Sequence, residues 1–451
     1  MEELSASLVN AISSLVELKK YNTLRDLLIT MNAADIAMIF EELPERALPL
    51  LYRLLPKELA AETFVEMDSD LQEMLIRGFS DSELKEVIDE LYVDDAVDLV
   101  EEMPANVVKR ILTQADPEKR KQINEILKYP EDSAGSIMTV EFVNLRPKMT
   151  VSEAILNIRR TGMGRETIND CYITDSSRKL VGTVSIRSLI LSDPDDVIND
   201  IMETNVISVN TLDDQEMVAQ MFAKYDLLAM PVVDKEGRLV GIVTVDDAID
   251  VLQDETTEDI SIMAATTPTD KPYMKTGVFE TWKNRVPWLL LLMISATFTS
   301  MIITHFESSL ARWVILTSFI PMLMDTGGNS GSQASVTLIR SLSLNEVEFS
   351  DIFRVIWKEC RVALLCGSTL AVVNFAKLML LDQVGVSVAL VVCLSLLCTI
   401  FVAKLVGCSL PILAKKIGFD PAVMASPFIT TIVDALSLLI YFRFATLFLP
   451  I

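Results

Sequence analysis

The chain has 451 residues, room for two or three domains, and carries 39 Lys and Arg against 63 Asp and Glu. Its formal charge of −24 argues against a nucleic-acid ligand, whose phosphates need basic partners. One histidine, His305, and six cysteines without a Cys-x-x-Cys spacing exclude HExxH chemistry, a zinc ribbon and a disulfide framework. A metal handled here is therefore held by oxygen, which suits Mg2+ or Ca2+.

The charge is unevenly spread. Only 12 basic and 10 acidic residues follow Thr276, which leaves 27 and 53 before it: a soluble, strongly acidic front and a near-neutral, apolar back. Met1 to Ser7 lacks the basic flank of a secretory leader, so the front is expected on the cytoplasmic side.

Residues 1–130 read as short helices in tandem. Breakers or helix starts recur at Pro44, Pro56, Asp68, Asp81, Asp94, Pro104 and Asp116, and steps of this length fit a helix plus a turn. The pattern predicts a small superhelical solenoid in which each unit buries its apolar face on the next.

At Tyr129 the pattern changes, and two similar blocks fill residues 131–256. One starts at Ile137-Met138-Thr139 and contains Leu180-Val181-Gly182-Thr183-Val184-Ser185. The other starts at Ile201-Met202-Glu203 and contains Leu239-Val240-Gly241-Ile242-Val243-Thr244. Hairpin signals, Asp175 to Lys179 and Asp234 to Gly237, precede each Val-rich strand. The recurring order resembles a tandem pair of CBS modules. Such pairs often hold adenine nucleotides through a Gly-x-[Ser/Thr]-x-x-Asp signature. Here that resemblance points to Arg187, Thr244 and Asp247, with Ser188 standing where the first module would carry the Asp.

Val245 to Asp259 then carries seven carboxylates, several at i, i+3 and i+4 on one helix face. Like charges at that spacing repel, and a bound divalent cation relieves the repulsion; a solvated face is the plain alternative. Residues 257–285 are expected to form a connecting helix.

Five apolar runs in 286–451 are long enough to span a bilayer: Trp288 to Phe306, Trp313 to about Ile339, Trp357 to Leu381, Val386 to Leu413, and Val423 to Leu449. Lys283, Arg285, Arg340, Arg354, Lys358, Arg361, Lys415 and Lys416 set their cytoplasmic ends, which leaves the C-terminus outside. Asp434 lies deep in the fifth run. A carboxylate there costs a few kcal/mol, about 3 even on lenient scales, and normally faces a water-filled path or a cation such as Lys404 or Lys377. In the second run, Pro321 and the cluster Gly327-Gly328-Asn329 are expected to break the helix and present carbonyls to an ion path. Lys404 either snorkels or pairs with a carboxylate.

The whole order resembles the MgtE family, bacterial relatives of certain eukaryotic magnesium solute carriers. Its most specific pieces are Pro130 to Gly135, Asp226 with Pro231 to Asp234, Val243 to Asp247, Thr257 to Ile260, Gly327-Gly328-Asn329 and the Asp434 span. The resemblance implies a multidomain membrane protein: an all-α superhelical N domain, an α/β CBS-pair domain, a connecting plug helix and a five-helix transmembrane domain. It implies a homodimer in the cell membrane bilayer with an Mg2+ path between the subunits. Asp434 would be the pore carboxylate. Regulatory Mg2+ would bind among Glu62, Asp94, Asp98, Asp214, Glu216, Asp226, Asp247, Asp250, Glu255, Glu258 and Asp259, with Asp420 at a contact to the plug helix and ATP at the CBS pair. Asp325 departs from the family pattern, as a second lumenal carboxylate or a partner of Lys404. Gating by cytosolic Mg2+ follows from the resemblance; an H+- or Na+-coupled divalent-cation carrier is the alternative.

Overall fold

The structure, a computed structural model, describes residues 2–269 and 273–449. Two compact units result, Met1–Leu252 and Gln253–Ile451.

The first unit opens with ten helices: α1 (Glu2–Glu17), α2 (Tyr21–Leu28), α3 (Ala33–Glu42), α4 (Leu48–Tyr52), α5 (Lys57–Val65), α6 (Ser69–Gly78), α7 (Asp81–Glu90), α8 (Val93–Glu102), α9 (Ala105–Gln114) and α10 (Pro117–Ile126). Starts are set by local chemistry. Asp68 and Asp116 accept backbone N–H groups at the heads of α6 and α10, and Ser80 with Glu83 forms a reciprocal cap on α7. The expected starts at Asp81 and Asp94 thus fall one and two residues after the actual caps, Ser80 and Tyr92. Alternate helices stack, α3 on α5, α5 on α7, α7 on α9 and α8 on α10, as a solenoid requires. Tyr52, Phe64 and Phe79 meet at ring-centroid distances of 5.2–6.5 Å in its core.

Two copies of one small architecture follow. In the first, β1 (Asn144–Leu145), α11 (Val151–Thr161), β2 (Asp170–Thr174), β3 (Leu180–Ser185) and α12 (Ile186–Leu191) form a sheet in order β1-β2-β3. After α13 (Ile198–Ile201), the second copy has β4 (Val209–Asn210), α14 (Gln215–Tyr225), β5 (Ala229–Val233) and β6 (Leu239–Thr244), leading into α15 (Val245–Met263). Each sheet joins one parallel and one antiparallel pair, with register shifts at matching places, Ile173/Thr174 and Val232/Val233. Each hairpin is held by its first Asp: Asp175 accepts from Ser177 and Lys179, and Asp234 from Glu236 and Arg238.

The entry segments are exchanged. Thr139 bridges to Ile242 of the second copy, and Glu203 to Thr183 of the first. The Leu-Val-Gly motifs make this approach possible. A Cβ at Gly241 would meet the Met138 sulfur at 2.7 Å and the Thr139 carbonyl at 2.7 Å; one at Gly182 would meet Met202 and the Glu203 carbonyl at 2.7 and 3.0 Å.

In the second unit, α16 (Val278–His305), a short α17 (Glu307–Arg312), α18 (Ile320–Ser343), α19 (Ile352–Leu380), α20 (Val386–Ile417) and α21 (Ser426–Phe448) supply five long helices. Four stretches, Val278–His305, Phe349–Leu380, Val386–Ile417 and Pro421–Phe448, are long and apolar enough to cross a membrane. The fifth, α18, has 24 residues and the length to span, but carries Asp325, Asn329 and Gln333. α20 packs on α18, α19 and α21, and α16 lies along α21.

Two expectations change here. The helix expected over 257–285 is divided: α15 runs unbroken out of the second copy to Met263, and α16 begins only at Val278. Lys271, within the expected stretch, lies outside the described residues. The glycine cluster does not break the second span either. α18 is continuous, with Pro321 in its first turn, where a missing N–H costs nothing. Its glycines serve packing: a Cβ at Gly327 would meet Thr399 at 2.6 Å and Ser437 at 2.9 Å, and one at Gly407 of α20 would strike the Gly331 carbonyl.

Candidate ion path and acidic sensor

Asp434 sits half-buried on α21, one turn beyond Thr430. Thr430 packs on Gly328, where a Cβ would meet its methyl at 3.0 Å. On the same stretch of α18, Asn329 donates to Asp325 at 3.1 Å, and the Asp325 charge acts on Asp434. Asp325, Asn329 and Asp434 thus gather at one α18–α21 crossing, two carboxylates and an amide beside Thr430.

Neither intramembrane lysine neutralises them. Lys404, 6 % exposed on α20, faces Glu359 of α19 at 3.6 Å, and Lys377 faces Asp382 at 3.3 Å. Pairing of Lys404 or Lys377 with Asp434, and of Lys404 with Asp325, is therefore replaced by these partners. Glu359 escaped the sequence reading. Its signal was a carboxylate in the apolar run from Trp357, within reach of a lysine that needed a partner. Among the described residues no three Asp, Glu, His or Cys side chains in one chain converge closely enough to hold a metal ion.

The acidic front is crowded in another way. Asp94 is 6 % exposed on α8, and burial, then the charge of Asp247, pushes its carboxyl well above the ordinary range. Burial and the neighbouring charges of Asp246 and Asp95 raise Asp247 to about 7, although Thr244 donates to it. Asp98 keeps an exposed edge, yet the protein packed around it, and then Asp247, raise it to about 7. Asp95 rises to about 6 and Glu166 to about 8, burial again leading and like charges adding.

Asp95, Glu141 and Glu166 were not singled out in the sequence. The chain brings Glu166 to Glu141 through a 2.9 Å backbone bond, a placement no local pattern announces. Lys119 is nearby, but its ammonium is committed to the Leu91 and Asp89 carbonyls.

The remaining candidates are spread out. Glu62 is exposed on α5. Asp214 caps α14 by accepting from Glu216 and Met217 at 3.0 and 3.3 Å, and Glu216 accepts from Gln220. Asp226 ends α14 in the left-handed conformation, φ 53°. Asp250 follows Asp247 on α15 and is raised by burial and by Asp246; Glu255, Glu258 and Asp259 occupy the later turns. Asp420 accepts from Ala422 at 2.7 Å, at the turn whose Ala422 and Ala425 pack with Ile339 against Ile262 and Met263 of α15. Arg187 is exposed at the start of α12, and Ser185 caps that helix on Ser188, where Thr244 of the second copy uses Asp247.

An acidic solenoid, two CBS-like modules and a helical membrane region with unneutralised carboxylates define a membrane transporter for divalent cations. Residues 320–444 match the family of divalent cation transporters, 31–132 the MgtE intracellular N domain, and 134–194 and 198–254 the CBS domain. The chain is 37 % identical to the magnesium transporter MgtE of Thermus thermophilus, covering 99 % of each chain. It is 35 % identical to that of Enterococcus faecalis (100 % and 98 %) and 33 % to that of Bacillus subtilis (95 % and 95 %). Among solved structures, the cytosolic domain of the Mg2+ channel MgtE in complex with ATP is 35 % identical, with a TM-score of 0.52 over 54 % of this chain and 99 % of that one. The chain belongs to the MgtE family of magnesium transporters, not to an enzyme family, and is a membrane protein with a cytosolic N-terminal region.

Proposed function

We propose that this protein conducts Mg2+ into the cell along a path lined by Asp434 and closes that path when cytosolic Mg2+ binds its acidic front. The observation that carries the reading is the Asp434–Asp325 pair, left without a cation by lysines that hold other partners. Among the described residues of one chain no three ligating side chains converge. A homodimer, with the path between subunits in the cell membrane, doubles the carboxylates. Mg2+ sheds water reluctantly, so carboxylates, Asn329 and retained water suit it, with Gly327 and Gly328 keeping the wall thin beside them and Pro321 at the head of the same helix. The C-terminus then lies outside.

The closing step rests on the crowd around Asp94, Asp98 and Asp247. Carboxyls whose proton affinity is raised by burial and by neighbouring like charge exchange those protons for a divalent cation, and several ions of modest preference supply the ~5.5 kcal/mol of a clean switch. Glu62, Asp214, Glu216, Asp226, Asp250, Glu255, Glu258, Asp259 and Asp420 are the further ligands proposed for such ions. Thr244, Asp247 and Arg187 are the proposed nucleotide contacts, supported by the ATP complex of the similar cytosolic domain.

Mg2+ uptake into a transport-deficient cell tests the path: Asp434→Ala should lose most of the wild-type rate, and undiminished uptake overturns the assignment.

A further inference from the structure

We propose that the cytosolic third of α19 is a binding site for one anionic phospholipid of the cytosolic leaflet. α19 has two faces. Ala363, Gly367, Asn374 and Leu378 are buried, and Glu359 reaches Lys404 of α20. The opposite face is open: Phe353 is 82 % exposed, the Arg354 side chain 89 % and Trp357 65 %, with Lys358 and Arg361 exposed beside them. Positions 354, 358 and 361 fall at i, i+4 and i+7, so three cations stand in one stripe about 10 Å long.

The stripe lies at the end of the helix that faces the cytosol. α19 begins where Val347, Ile352 and Val355 pack on Leu338, Leu342 and Ile412, at the ends of α18 and α20. The neighbouring Ile339 packs on the end of α15, which emerges from the cytosolic region.

The cations are arranged for a headgroup. Arg361 bends back toward the cytosol, its guanidinium 5.8 Å from the Trp357 ring and its Nε donating to the Trp357 carbonyl at 3.4 Å. Among the described residues neither Lys358 nor Arg361 has a carboxylate partner, and Arg354 leans on Asp351 at 3.2 Å while staying exposed. One helical turn deeper the same face becomes Leu364 and Leu365, then Val372 and Val373, all exposed. A phosphate over three cations, with acyl chains on the Leu and Val positions, satisfies both halves of the stripe. A zwitterionic headgroup brings its own ammonium and gains less. At the far end of α19 the pattern is absent, because Lys377 is already paired with Asp382.

The test uses the full-length protein with Trp282→Phe, Trp288→Phe and Trp313→Phe, so that Trp357 alone emits. It is reconstituted in phosphatidylcholine bilayers containing dibrominated phosphatidylglycerol or dibrominated phosphatidylcholine. The anionic lipid should quench Trp357 at a mole fraction about fivefold lower or better, since each Lys or Arg near the surface is worth about that factor. Arg354→Gln, Lys358→Gln and Arg361→Gln together should bring the two lipids level, with Mg2+ uptake of the same vesicles reporting that the fold survives. If the triple variant does not fold, Lys358→Gln alone should remove about fivefold of the preference. Equal quenching in the parent overturns the proposal. So does absence of quenching by either lipid, which would place protein over the stripe, or loss of the preference on adding inorganic phosphate, which would make it a site for soluble anions.

Discussion

The two units differ in their least exposed carboxylates, although the cytosolic one also carries surface ion pairs such as Arg53–Glu83 and Arg110–Asp81. In the membrane unit, charge is matched locally: Glu359 by Lys404, Asp382 by Lys377, Asp351 by Arg354. In the cytosolic unit, Asp94, Asp95, Asp98, Asp247 and Glu166 are packed together, and burial, then neighbouring like charge, raises their proton affinity. The lesson lies in the exception. Asp434 and Asp325 are membrane carboxylates that lie together with neither Lys404 nor Lys377 as a partner, so both units leave carboxylates beside one another, as the proposed cation sites require.

The comparison is broken most forcefully at the matched pair. Lys404→Met leaves Glu359 in apolar surroundings and should cost about 3–5 kcal/mol, read as a lowered unfolding temperature of the purified protein. Exchanging the two residues, Lys404→Glu with Glu359→Lys, should recover much of that loss. If Lys404→Met is neutral, local matching is not what holds α19 on α20.

A smaller effect tests the cytosolic unit's scaffold separately from its charge. Gly241→Ala drives a methyl into the Thr139 carbonyl, which is backbone and cannot swing away, and should cost about 1–3 kcal/mol by denaturant unfolding. A further effect is that of pH without Mg2+. The folded-state values near 6 to 8 lie above the unfolded ~4. These carboxyls therefore add stability that is complete below pH ~4 and is lost as pH climbs through 6 to 8. The hydrogen-exchange protection of α8 and the start of α15, corrected for the intrinsic pH dependence of amide exchange, should fall over that interval in chelator and stay level in Mg2+. Asp247→Asn should flatten the chelator curve, and an unchanged curve would separate the acidic crowd from Mg2+ sensing.

Much of this was legible in the sequence because it is local or repeated. Breakers and helix starts recurring every 10 to 13 residues announced the solenoid, and the doubled Leu-Val-Gly strand announced the paired modules. Asp434 was legible because a carboxylate in an apolar run is anomalous without any structure. What was not legible depends on partners far along the chain. Gly327 and Gly328 read as a helix break, since glycine weakens isolated helices; the actual determinant is close packing by Thr399, Thr430, Val433 and Ser437, which only the fold supplies. The division of the connecting stretch and the meeting of Glu141 with Glu166 were hidden for the same reason.

The exchanged entry segments carry a last consequence. Each CBS-like module is completed by a strip of chain that precedes its sibling, so the pair is clasped like two hands rather than stacked like two bricks. A chain severed between 194 and 198 would yield two halves that each lack an edge, and neither should fold until the other is present.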